Sequence, residues 1–171
     1  MILVEAEASE EWDSSDGWSE LAQSAARAAA AASRHKALLD GRRPVEMSVK
    51  FTSDNEVALL NSVWRKKPGA TNVLSFPMVE PELLDALDPD GEAELLLGDI
   101  VLAHGVCASE AAGRGIPIRD HAAHLVVHGA LHLLGYDHET GEREADAMEA
   151  VEREALARLG IADPSRSEVG P

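Results

Sequence analysis

The chain has 171 residues, which suits one domain with a real core, and its 45% hydrophobic and 27% charged residues are ordinary for a soluble globular protein. A formal net charge of −16 argues against a long nucleic-acid groove, which needs a basic footprint, yet leaves room for a small basic pocket beside a metal ion. No apolar run approaches a membrane span, Met1 to Glu7 lacks the character of a signal peptide, and the single Cys107 excludes an internal disulfide. A cytoplasmic protein without a membrane partner is expected.

Met1 to Glu7 alternates weakly and reads as a first strand, followed by an acidic, polar loop over Ser9 to Gly17. Trp18 to Asp40 has helical spacing and stops at Gly41; its alanine run is read as a helix packed closely on a neighbour. Pro44 to Thr52 alternates at period two and predicts a strand. Ser53 and Glu56 then form a capping box for a helix that ends near Arg65-Lys66-Lys67. Thr71 to Met78 is a short strand, and Pro77 within it points to an edge or a terminus.

Glu80 to Glu94 reads as an acidic surface loop, and Glu94 to Ala103 as a buried strand. A short helix is expected over Val106 to Ala112. Ile118 to Leu134 is apolar nearly all round, so it predicts a buried central helix. Thr140 to Gly160 reads as a last amphipathic helix with an acidic outer face. These elements give an α+β fold: a single domain over residues 1–161, with a small mixed sheet of about four strands packed with helices. Residues 162–171 read as a disordered tail.

The central helix carries His121, His128 and His132 in one narrow stripe, with His124 at its margin. Residues four apart lie one turn apart on the same face, so His128 and His132 can share one atom. Gly135 can adopt positive φ and turn the chain so that His138 returns as a third ligand. Three imidazoles and an open position commonly hold a catalytic zinc, and nickel, copper or iron also suit this donor set. A single histidine, such as His35 or His104, is read as structural. Asp137 is either an acceptor that fixes an imidazole tautomer or a plain turn residue, and His124 either lines the cleft or packs.

The spacing His-x-x-x-His-x-x-Gly-x-x-His is also that of metzincin proteases, which carry a glutamate base directly after the first histidine. Here that position is Gly129, so a protease lacks its base. Another residue would have to handle protons for a metal that generates hydroxide or polarises a phosphoryl oxygen.

From His124 to His138 the sequence HLVVHGALHLLGYDH resembles the signature of the YbeY family of bacterial endoribonucleases and rRNA maturation factors. Thr71 to Pro77 (TNVLSFP), Leu97-Gly98-Asp99-Ile100 and the acidic stretch Met148 to Glu152 agree with that family, and the likeness covers roughly Pro44 to Gly160. The resemblance implies an α+β domain with a zincin-like central helix and one zinc held by His128, His132, His138 and a water. It implies a metal-dependent, single-strand-specific endoribonuclease acting in maturation of the small-subunit rRNA 3′ end and in ribosome quality control. Its partners would be single-stranded RNA, the small ribosomal subunit and assembly factors, with no DNA.

The family's functional arginine maps onto Arg65 as the catalytic helper. Its usual Tyr-Arg-Gly-Lys stands here as Trp64-Arg65-Lys66-Lys67, and its Thr-Asp-Val as Thr71-Asn72-Val73. An arginine suits non-bridging phosphate oxygens because its guanidinium can grip them in bidentate fashion. Lys66 and Lys67 add to a basic patch, but these two are read as a solvated helix end favoured by the macrodipole rather than as phosphate contacts. Ser75-Phe76-Pro77 would form a cleft wall, by analogy with zincins. A ribosome-assembly binding factor with a mainly structural zinc is the alternative, and a metalloprotease-like hydrolase a weaker one.

Overall fold

A computed structural model describes residues 1–162, so the expected tail lies outside the described residues from Asp163 onward. Four strands, β1 (Ile2–Ala8), β2 (Val45–Thr52), β3 (Val73–Pro77) and β4 (Leu95–Ala103), form one sheet in the order β1-β2-β4-β3. The β1–β2 and β2–β4 pairs are parallel, while β3 runs antiparallel to β4 along the edge. Pro77 closes that edge strand, where its missing N–H breaks no interior ladder.

The period-two pattern of β2 sends Val45, Met47, Val49 and Phe51 to one face, where they meet Leu97, Ile100 and Leu102 of β4. Two helices cover that face: α1 (Trp18–Ala32) and, behind the site, α6 (Ile118–Leu133). The alanines of α1 are buried from Ala22 to Ala30, which lets its backbone approach α6 closely. The helix stops earlier than its spacing predicts. The Ser33 hydroxyl donates to the Ala30 carbonyl at 2.8 Å, and a separate short helix α2 (Ala37–Asp40) carries Leu38 into the core.

Helix α3 (Asp54–Arg65) covers part of the opposite sheet face through a smaller cluster of Val57, Leu74, Val101 and Ala103. Half of the expected capping box forms. The Ser53 hydroxyl accepts from the Glu56 N–H at 3.2 Å, but the Glu56 carboxylate takes the Thr52 hydroxyl and the Lys50 ammonium instead. The acidic loop after Pro77 contains a short helix, α4 (Pro81–Asp85), and α5 (His104–Arg114) starts directly at the end of β4. A final helix, α7 (Glu142–Arg158), packs against α1 and α6.

The loop over Ser9 to Gly17 is less polar in role than its composition predicts. Trp12 is only 2% exposed, stacks edge-on to Trp18 and Phe51, and donates its indole N–H to the Thr52 carbonyl at 3.0 Å. Burial of one such ring is worth a few kcal/mol, roughly at 25 cal/mol per Å² of apolar surface, so this loop is pinned. Among the described residues no helix is long and apolar enough to cross a membrane.

Candidate metal centre

Helix α6 delivers two imidazoles to one point. His128 and His132, one turn apart, bring their Nε2 atoms to 3.1 Å of each other. The helix then ends, and Gly135 adopts φ +92° as its sequence position predicts. The turn brings His138 back, so its ring centroid lies 5.3 Å from that of His128 and 5.1 Å from that of His132. Ligand atoms of the three histidines all lie within 4.8 Å of one another. His138 is exposed and the other two are half-buried, so the cluster opens on one side.

Each helical imidazole is oriented from behind. Nδ1 of His128 stands 2.9 Å from Oε1 of Glu152 on α7, and Nδ1 of His132 stands 3.0 Å from the carbonyl oxygen of Tyr136. Both partners are acceptors only, so in the neutral rings Nδ1 carries the proton and Nε2 keeps its lone pair. Two lone pairs then face each other at 3.1 Å, an arrangement that a cation between them relieves. Two nitrogens about 2.1 Å from a tetrahedral zinc stand roughly 3.4 Å apart, so the separation of this pair fits such an ion. Burial above all, and then the neighbouring His128 ring, push the His132 imidazole down to about 4, so it offers its lone pair at neutral pH without first losing a proton.

Glu152 also lies 3.3 Å from Nε2 of His124, so one carboxylate bridges two rings of the histidine stripe. Its burial alone would raise its pKa. Hydrogen bonds from His124 and His128 outweigh that and hold it at about 2, so it is an anion at neutral pH.

The three histidines form one wall of a cleft of about 560 Å³, whose other wall is α3 and β3. Arg65 and Lys67 line it together with Asn61, Val73, Ser75 and Pro77, so the expected cleft wall is there, apart from Phe76. One Arg65 nitrogen donates to the Ser75 carbonyl, and its guanidinium lies 5.6 Å from the Phe76 ring. Gly129 lies against the sheet: a Cβ there would come within 2.9 Å of Cγ2 of Ile100. Close helix–sheet packing therefore leaves no room at this position for the glutamate of a metzincin.

The remaining candidates sort clearly. Asp137 lines the cleft, but its carboxylate accepts the Glu139 N–H at 2.8 Å, which is the role of a turn residue. The acceptors that orient the imidazoles are Glu152 and the Tyr136 carbonyl. Spacing on one helix carries no signal for either, although Glu152 falls in the acidic stretch Met148 to Glu152 that agrees with the family pattern. His121, 1% exposed, pairs with Glu110 at 2.8 Å and stays out of the trio. His104 packs edge-on to Trp12 with ring centroids 5.0 Å apart, and the buried His35 sits 3.5 Å from Asp85, both structural as expected.

Fold and site together define a small α+β domain built around a three-histidine centre able to hold a metal ion. The model of the Endoribonuclease YbeY family matches residues 5–160, and the chain belongs to that family. The Endoribonuclease YbeY of Rhizorhabdus wittichii is 51% identical over 164 residues, covering 96% of each chain. That of Novosphingobium aromaticivorans is 49% identical over 156 residues, covering 90% of this chain and 89% of the relative. The solution structure of a Thermotoga maritima protein shares the fold, with a TM-score of 0.51 at 20% identity over 98% of this chain and 95% of that one.

Proposed function

We propose that this chain is a zinc-dependent, single-strand-specific endoribonuclease of the cytoplasm. It would act in maturation of the small-subunit rRNA 3′ end and in ribosome quality control, beside the small subunit and its assembly factors. The observation that carries the reading is the shared cleft: three convergent imidazoles on one wall and the Arg65 guanidinium on the other. Family membership and the printed name of the relatives support it from a second direction.

His128, His132 and His138 would hold the ion, which supplies a Lewis acid and lowers the pKa of a water toward neutrality. The chain's own groups do the rest. Glu152 and the Tyr136 carbonyl keep both helical Nε2 atoms aimed at one point. Arg65 keeps one donor on the Ser75 carbonyl, which fixes its plane, and presents its other donors to phosphate oxygens in the cleft. The exposed side of the histidine cluster favours a working centre over a closed, purely structural one.

Mapping the small-subunit rRNA 3′ ends in cells that carry His128→Ala tests this, with metal analysis of the purified protein alongside. Unprocessed 3′ ends and loss of about one zinc per chain are expected. Normal ends in such cells would remove the rRNA assignment. A folded metal-free protein lacking only cleavage supports the enzyme, whereas unfolding on chelation would return the zinc to a structural role.

A further inference from the structure

Resting on the RNA reading above, we propose that Trp64, Lys66 and Lys67 at the tip of α3 form a docking platform for single-stranded RNA. The platform would feed the strand past Arg65 into the cleft. Of the three tryptophans, Trp12 and Trp18 are buried, whereas Trp64 is 68% exposed. Exposed Leu59 and Val63 flank it on the same helix. A large ring held in water beside cations is the pattern of a base-stacking surface, since every base offers a π face.

Charge singles out the same place. The chain carries 31 acidic residues, yet none falls between Val57 and Val79, and that interval holds the consecutive cations Arg65, Lys66 and Lys67. Elsewhere around α3 the surface is hostile to a polyanion. The groove on the open sheet face, which Trp64 and Phe76 border, is also lined by Glu5, Glu7, Glu56 and Asp99, with Lys50 alone opposing them. A strand lying on Trp64 is therefore repelled on the sheet side and drawn toward Arg65 and Lys67, which line the metal cleft.

Lys66 has φ +57° and is the one non-glycine residue with positive φ among the described residues. Glycine would adopt that conformation without penalty, so a lysine there adds a cation at a conformational cost. The conformation is that of the left-handed cap closing α3, in which the Lys66 N–H donates to the Asn61 carbonyl, and it turns the chain so that Lys66 stands exposed beside Trp64.

The test titrates an unlabelled single-stranded RNA decamer into the full chain, with chelator present to stop cleavage, and follows tryptophan emission and binding. Saturable quenching of the exposed indole is expected. Trp64→Ala should weaken binding about tenfold, with much of it kept by Trp64→Phe. Lys66→Gly should lower the slope of log affinity against log salt by about 0.7, the value for one phosphate contact on a single strand, with no loss of folding stability. Full RNA affinity in Trp64→Ala and an unchanged salt slope in Lys66→Gly, while Arg65→Glu abolishes binding, would overturn the platform and leave the RNA reading standing. Quenching by RNA-free small-subunit proteins and none by RNA would also overturn it, as a protein contact. A wild-type chain that neither binds nor cuts single-stranded RNA would remove the RNA reading itself.

Discussion

The Glu152 carboxylate on α7 lies 2.9 Å from Nδ1 of His128 on α6, and the same oxygen lies 3.3 Å from His124. An imidazole held in this way has its tautomer and ring plane fixed before any ion arrives. Such outer partners typically change metal affinity 10- to 100-fold when removed, so Glu152→Ala should bind zinc about 10- to 100-fold more weakly. Competition with a chromophoric chelator measures this, and an unchanged affinity would show that the carboxylate serves only packing.

Gly129 and Ile100 set how closely α6 approaches the sheet. Gly129→Ala adds a methyl whose carbon lies 2.9 Å from the Ile100 side chain, an overpacking expected to cost about 1–3 kcal/mol. Urea denaturation should show that loss, and in an Ile100→Ala background, which removes the crowding Cγ2 and Cγ1, Gly129→Ala should cost less. Two losses that simply add would mean the residues do not meet.

Lys66→Gly tests the strained end of α3. Relief of the left-handed conformation, set against the greater entropy of glycine in the unfolded chain, should leave the variant more stable by about 0.5–1 kcal/mol. A fall in melting temperature would show that the lysine side chain makes a stabilising contact.

The pair of Glu56 and Lys50 gives a pH signature. Hydrogen bonds from the Lys50 ammonium first, and then the Thr52 hydroxyl, hold the Glu56 carboxyl below its ordinary 4.5. Its contribution is therefore complete above pH 4.5 and is lost as pH falls through the lower folded-state value. Both side chains are about a third exposed or more, so Glu56→Gln should cost less than about 1 kcal/mol at pH 7. That deficit should shrink in denaturation series run at successively lower pH below 4.5. A deficit constant with pH would assign it to packing.

How much of this was legible in the sequence depends on how far apart the partners lie. The histidine trio was readable because the i,i+4 spacing and the glycine turn are local, and Pro77 marked the edge strand for the same reason. Glu152 was not, because its contact to His128 spans 24 positions and joins two helices. The break of α1 at Ser33 was hidden because Leu38 and Leu39 continue the helical spacing beyond it. Trp12 was lost in an acidic loop whose composition said nothing of the indole's bond to Thr52. Strand order, and the reason position 129 must be glycine, follow only from the assembled sheet.

The most direct test is cleavage of a single-stranded RNA by the purified chain in four states: as isolated, metal-depleted, zinc-restored, and as His128→Ala. The account predicts cleavage in the first and third, none in the second, and none in the variant at any zinc concentration. Undiminished cutting by the metal-depleted chain and by His128→Ala, from preparations shown to be free of contaminating nuclease, would contradict it.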